Sequence, residues 1–215
     1  FYLTNKYICK KIDNYRLNIL NEEIKPNKVK LLKSKLKIIH ITNFNERHNG
    51  RLFYNTGKRI NNGLVRLGHS VLELSDRDVV SNHRKLIDLN GAKYLNNKLL
   101  SIIGNYTPDI IILGHADLID IKTLKMIKNY YPKIKISQWF LDRMDSQWIS
   151  NKKRFLDKID IMDASFCTTS PDILKFPKTK PIYFIPNPVD KSFEVLNNYK
   201  HKIYVSTISN QIVSE

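Results

Sequence analysis

The sequence predicts an α/β fold, a Rossmann-like doubly wound parallel sheet with helices on both faces. Six short apolar runs recur at intervals of about twenty to forty residues: Ile38–Thr42, Val71–Leu74, Ile110–Leu113, Ile134–Phe140, Ser165–Thr168 and Ile182–Ile185. Most of the stretches between them carry helical periodicity. Runs such as Ile110-Ile111-Ile112 are continuous and β-branched, which a strand covered by helices on both faces requires. Strand alternating with helix is the pattern of a parallel sheet. Such sheets bind ligands beyond the carboxyl ends of their strands, so the residues that follow each run are the ones to question.

Residues 1–36 read as a basic N-terminal extension, helical in part, with Ile12, Leu17, Ile19, Leu20 and Ile24 before Pro26. The Rossmann-like domain is expected over 37–190. Its first strand, Lys37–Thr42, runs into a dense polar loop, Asn43 to Arg51. A helix from about Phe53 to Leu67 follows, with Ile60, Leu64 and Leu67 on one face and Gly68 placed for a left-handed C-cap. The second strand ends in the polar stretch Ser75-Asp76-Arg77-Asp78. Residues 79–92 are ambiguous and helical in part. A helix from about Ala92 to Ile103 is closed by Gly104 and Pro108. The third strand delivers Gly114-His115-Ala116-Asp117. Asp117 or Asp120 can cap the next helix, which runs to about Tyr130. The fourth strand delivers Leu141-Asp142-Arg143. A short helix around Lys152–Lys158 precedes the fifth strand, Ser170-Pro171 is placed to start another, and the sixth strand ends in Pro186-Asn187-Pro188-Val189-Asp190. The two prolines fix the direction in which the chain leaves the sheet.

The formal charge of +16 raises the reading of a basic nucleic-acid-binding domain. Against it, Lys outnumbers Arg 27 to 9, and ten of the basic residues against three acids lie in residues 1–37. Readers of bases favour the bidentate Arg fork, and no strand face interleaves aromatic with basic residues. The excess is therefore read as compositional and partly local, and nucleic acid is not the expected partner. The two cysteines, Cys9 and Cys167, are far apart and form neither a disulfide framework nor a zinc motif. No apolar stretch approaches roughly 18 residues, so no transmembrane segment is expected. A reducing, cytoplasmic setting is the default expectation. A chain opening on Phe1 is expected to be a piece of a longer protein.

Several motifs, taken in order, resemble a known family. Leu64-x-x-x-Gly68-His69-x-Val71 resembles the first helix-to-strand turn of GT-B glycosyltransferases. Pro186-Asn187-Pro188-Val189-Asp190 resembles the segment with which their N-terminal half finishes. Phe53-Tyr54-x-Thr56-x-x-Arg59-Ile60-Asn61-Asn62-Gly63, Ser75-Asp76-Arg77-Asp78 and Gly114-His115-Ala116-Asp117 resemble the CgeB-like (spore-maturation-protein-like) branch. The likeness covers roughly residues 37–190. It implies the N-terminal, acceptor-side half of an enzyme that moves a sugar from a nucleotide-sugar donor to a glycan, a protein or a cell-surface polymer. It also implies no metal and no further cofactor. The donor would sit mainly on a C-terminal domain, of which 191–215, with Tyr199–Ser206 as the opening strand, would be only the start. The fragment by itself is then expected to be inactive. A non-catalytic binding module of the same fold is the competing reading.

Glycosyl transfer needs a base for the acceptor hydroxyl or a stabilising polar face. His115, Asp117 and Asp142 follow buried strands and are the catalytic candidates. The plainer alternatives are that Asp117 caps a helix, His115 packs on the sheet and Asp142 pairs with Arg143 or a nearby Lys. Asn43, Asn45, His48 and Arg51 supply amides and a guanidinium suited to sugar or phosphate, or else form an ordinary loop. That loop lacks Gly-x-Gly-x-x-Gly, so a dinucleotide site is not expected. Arg77, with Asp76 and Asp78, belongs either to a site-shaping ion network or to a turn. Trp139 and Trp148 could stack on a sugar ring, although Trp139 falls inside a strand and suits the core. Asn187 completes the substrate-binding candidates or shapes the hinge.

Overall fold

A computed structural model describes residues 34–84, 88–176, 179–190 and 193, together with the short segments 206–208 and 211–213. The expected N-terminal extension (1–36) and the expected opening of a second domain (191–215) lie for the most part outside these residues. Ser206–Ile208 and Gln211–Val213 form an antiparallel pair.

The described domain is a six-stranded all-parallel sheet flanked by helices, which is a Rossmann-like α/β fold. In chain order the elements are β1 (Lys37–Thr42), α1 (Thr56–Arg66), β2 (Ser70–Ser75), α2 (Asp76–Asn82), α3 (Ala92–Tyr106), β3 (Ile110–Gly114), α4 (Ile121–Tyr130), β4 (Lys135–Phe140), α5 (Ile149–Asp157), β5 (Ala164–Cys167) and β6 (Ile182–Phe184). The strand order is β2-β1-β3-β4-β5-β6, and every pairing is parallel. All six apolar runs are strands.

Side chains alternate across the central strand, and the two faces differ in chemistry. Ile39 and Ile41 join Ile111, Leu113 and Ile136 in a core with Leu95, Leu99 and Ile103 of α3 and Leu124 and Ile127 of α4. His40 and Thr42 of β1 point the other way and meet α1. A smaller cluster of Phe140, Met144, Phe155, Cys167, Leu174 and Phe176 packs α5 onto β4 and β5.

Several local expectations need correction. The helix expected from Phe53 begins at Thr56, because Asn55 in an extended conformation accepts the Lys58 N–H at 2.9 Å and caps it. Ser75-Asp76-Arg77-Asp78 is not a turn. Asp76 opens α2 directly after β2, and the two acids in the first turn suit the positive end of the helix dipole. Gly104 does not close α3, which continues to Tyr106 and ends at Thr107 with φ 46°. Packing of Ile103 and Tyr106 into the core outweighs the weak helix preference of one glycine. The helix expected at Ser170-Pro171 is a single turn, broken by Lys175 at φ 52°. The short fifth helix starts at Ile149, ahead of the expected Lys152. Gly68 does sit in the left-handed region, at φ 86°, as its C-cap position requires.

Candidate functional site

The strand order reverses direction between β1 and β3: the chain leaves β1 toward β2 on one side and β3 toward β4 on the other. The loops that follow these two strands part there and open a crevice at their carboxyl ends. A cleft of about 360 Å³ occupies this position, lined by Asn43, Arg77, His115, Trp139, Asp142 and Arg154, with the start of α1 on its rim.

Two close approaches shape the cleft. A Cβ on Gly57 would lie 2.6 Å from Thr42 Cγ2, so a glycine there lets the first turn of α1 rest on the end of β1. A Cβ on Gly114 would lie 2.0 Å from the Trp139 indole, which covers that glycine. Trp139 is 5 % exposed; it is a core residue and a cleft wall at once. Its Nε1–H donates to His40 Nε2 at 3.1 Å. The same imidazole faces Asn61 Oδ1 at 3.4 Å, Asn61 Nδ2 donates to Glu73 Oε1 at 2.6 Å, and Lys58 pairs with Glu73. The Trp139 bond makes Nε2 an acceptor, so Nδ1 carries the proton. Burial lowers the His40 pKa from 6.5 to about 4, with Asn61 acting in the opposite sense, and the ring is neutral at physiological pH.

His115 follows Gly114 with φ 51°, a left-handed conformation uncommon for a residue with a side chain. The turn is held from below. Lys158, 8 % exposed, donates to Ala116 O at 2.7 Å, and burial lowers its pKa against the raising effect of Asp117 and other acids. The His115 ring packs on Trp139 and Phe140, and its Nε2 accepts the Leu141 N–H at 3.4 Å. Its Nδ1 lies 3.6 Å from Asp142 Oδ2. Burial is the largest influence on this imidazole and lowers its pKa, with Asp142 opposing. Asp142 is half exposed in the cleft and lies 3.8 Å from Arg154 Nη1. Arg154 also binds Asp117 through Nε, at 3.3 Å, and Nη2. Arg77 Nη2 stands 4.0 Å from Asp117.

The sequence-derived candidates therefore divide. Asn43, Arg77, His115 and Asp142 line one cleft, and Asp117 lines the neighbouring one. Asp117 serves as the counter-ion of Arg154 and does not cap a helix, since Asp120 takes that position before α4. Asn45 stands behind Asn43 and accepts its Nδ2–H at 2.8 Å. His48 lies in a 3-10 turn, Arg51 is exposed on the following turn, and neither lines the cleft. Asn187 is exposed beyond β6 and does not line it either. The work of that segment falls to Asp190, 5 % exposed and paired with Arg66 of α1, and to Phe193, whose ring meets those of Phe53 and Tyr54. Arg143 pairs with Asp145, leaving Asp142 to Arg154. Trp148 is half exposed, away from the cleft.

Sequence reasoning missed Arg154 and His40. For His40 a signal existed, since one imidazole interrupts the isoleucines of the first strand. For Arg154, one cation on a lysine-rich helix, there was none.

Asp76 lies beside the cleft, 1 % exposed, and its Oδ1 has no hydrogen-bond partner among the described residues. Burial raises its pKa from 3.8 to about 6, with the Arg77 backbone N–H and guanidinium opposing. A folded pKa above the unfolded one means that the folded chain holds the proton more tightly. Asp76 then opposes folding increasingly as pH rises from about 4 to 6 and fully above that. Asp76→Asn is expected to stabilise the chain at pH 8 by on the order of 2–3 kcal/mol and to change it little at pH 4. Urea midpoints at the two pH values measure the difference, and equal effects at both would refute a buried, ionising Asp76.

Among the described residues no cluster of three or more His, Cys, Asp or Glu could hold a metal ion, and no helix is long and apolar enough to cross a membrane. No protein-family model matches the chain, and no curated protein matches it significantly.

Proposed function

We propose that this chain is the acceptor-side lobe of a GT-B glycosyltransferase of the CgeB-like kind, and that the crevice between the loops after β1 and β3 receives the acceptor. The observation that carries the reading is the meeting of Asn43, His115, Trp139, Asp142 and Arg154 in one cleft at the switch point of a parallel sheet. An indole wall beside amide, carboxylate and guanidinium groups suits a polyhydroxylated ring, which offers apolar C–H faces and O–H edges. The nucleotide-sugar donor would be held mainly by a second lobe.

Asp142 Oδ2 is the half-exposed atom that an acceptor hydroxyl would meet. Accepting its proton makes the oxygen nucleophilic toward the sugar's anomeric carbon. His115 stands behind it, neutral, with Nε2 fixed by Leu141 N–H and Nδ1 directed at the carboxylate. With Nε2 occupied as an acceptor, the ring carries its proton on Nδ1, and this N–H orients the Asp142 carboxylate. The present 3.6 Å separation is longer than a hydrogen bond and would tighten with a ligand in place. Arg154 balances the charge of Asp142 and Asp117.

The test uses the protein encoded by the whole open reading frame that contains this chain, incubated with a panel of uridine, guanosine and thymidine diphosphate sugars. Nucleotide release is the readout. Asp142→Asn is expected to lower the rate about 10²–10⁴-fold, with an unchanged melting temperature. His115→Gln should lower it less and alter the shape of the pH–rate profile. Absence of release with every donor, or an Asp142→Asn variant as fast as the parent, would refute the proposal.

A further inference from the structure

The turn that leads into α1 leaves three consecutive apolar side chains open to solvent: Leu52 is 42 % exposed, Phe53 48 % and Tyr54 64 %. A patch of this kind calls for an explanation, because it is contiguous and aromatic. It is also held in place. Asn55 Nδ2 lies within hydrogen-bond distance of three carbonyls, Phe44 O at 3.2 Å, Leu52 O at 3.0 Å and Phe53 O at 3.2 Å. Arg59 of α1 donates to Tyr54 O at 3.3 Å. The backbone of the turn is thus fastened to the first turn of the helix. The rings are backed as well. Phe193, 7 % exposed, has its centroid 5.6 Å from that of Phe53 and 5.1 Å from that of Tyr54, and the two exposed rings stand 5.5 Å apart, all edge to face. The Arg59 guanidinium lies 5.4 Å from the Phe193 centroid. The patch adjoins the cleft, since Asn55, which fastens the turn, lines the cleft together with Thr56 and Gly57. Three side chains fall short of a stable protein interface, which takes about 20–30 residues a side. The next exposed apolar residues of this segment, Val65 and Leu67, lie at the far end of α1, roughly 13 Å along the helix. A sugar ring matches what the patch offers. An aromatic face attracts the polarised C–H groups that one side of a sugar presents, and the Tyr54 hydroxyl can meet an O–H at the sugar's edge.

We propose that Phe53 and Tyr54 form a stacking subsite for a further sugar ring of the acceptor, so that the acceptor is an oligosaccharide and not a single sugar. The inference rests on the acceptor-side reading above and names the acceptor class. The reacting end occupies the cleft beside Trp139 and Asp142, and the rest of the chain leaves over the start of α1 to rest on the aromatic pair. A pair held by Phe193, Asn55 and Arg59 loses little freedom when a ring settles on it, which favours binding.

The test is calorimetric titration of the protein encoded by the whole open reading frame with glucose, galactose, mannose and N-acetylglucosamine, each compared with its own linear oligomers of two to four units. At least one oligomer is expected to bind about tenfold or more tightly than its monomer. Tyr54→Ala, a change at the more exposed ring, should remove most of that gain, leave monomer binding unchanged and keep the melting temperature of the parent. Tyr54→Phe should retain most of the gain, because the ring is kept. If no oligomer outbinds its monomer, or if Tyr54→Ala and Phe53→Ala both keep the gain, the subsite is refuted. Loss of oligomer binding in Asp142→Asn with both ring variants unaffected would confine the ligand to the cleft, refuting the subsite but not the transfer reading. Self-association of the parent that Tyr54→Ala abolishes, with no oligomer bound, would make the patch a protein contact and refute the subsite. Oligomer binding through the ring pair, with no nucleotide release from any donor, would refute transfer and leave the subsite standing.

Discussion

Ile111→Asp is expected to abolish cooperative folding. Ile111 is the middle of β3, fully buried, with Ile39 of β1 and Ile136 of β4 as its neighbours across the sheet, also fully buried. Leucines and isoleucines of α3 and α4 close over the same face. The described residues that pack around Ile111 are apolar, so the chain must bury a charge, protonate the acid against a raised pKa, or open the sheet. Each route costs more than about 4 kcal/mol, a large part of the net stability of an ordinary domain. The measurement is thermal or urea unfolding followed by circular dichroism, with Ile111→Val as the control at about 1 kcal/mol. A soluble Ile111→Asp variant with a sharp transition near that of the parent would mean that β3 is not the centre of the sheet.

Gly114→Ala is the second large effect, and it reports on the cleft as well as on stability. The added methyl would fall 2.0–2.8 Å from three atoms of the Trp139 indole. Both partners are in the sheet, in register with each other, so the backbone has little room to yield. The ring must move, and with it goes the Nε1–H bond to His40, leaving a buried imidazole nitrogen unpaired. Overpacking and the lost bond together give an expected loss of about 3 kcal/mol. The chain has two tryptophans, and Trp148 is already half exposed, so a red shift of the emission would come from Trp139. Combining Gly114→Ala with Trp139→Leu should recover part of the loss, because the smaller side chain removes the clash. Strict additivity of the two changes would refute the packing argument.

These two residues also show how far the sequence could be read. The apolar run containing Ile111 announced its strand, and all six runs lie within a residue or two of the observed strands. A strand buried on both faces needs an unbroken apolar stretch, and that requirement is local. The residues just past each strand were legible for the same reason, which is why Asn43, His115 and Asp142 could be named and do meet. Gly114 was visible only as a glycine after a strand; its necessity comes from an indole on the next strand. Arg154 reaches Asp117 across 37 positions of sequence because α5 folds back toward the carboxyl end of β3. The start of α1 and the extent of α3 were misjudged because a single cap and a packed face outweighed residue preferences. Asp190, and not Asn187, ties the exit segment to α1, a choice made by the position of Arg66.

The tether between Trp139 and His40 gives the crevice two mechanically unequal sides. The indole is pressed against a glycine in front and fastened to a neutral imidazole behind, which is itself braced through Asn61 to Glu73. That side is set before any ligand arrives. The opposing lip consists of Arg77 and Arg154, long side chains that are one-third to one-half exposed. A guest must therefore take the contour of the ring side, while Arg77, 4.0 Å from its nearest acid, adjusts to the guest and loses rotamer freedom in doing so. Selection by shape would reside with the tryptophan, and tolerance of differently placed charges with Arg77.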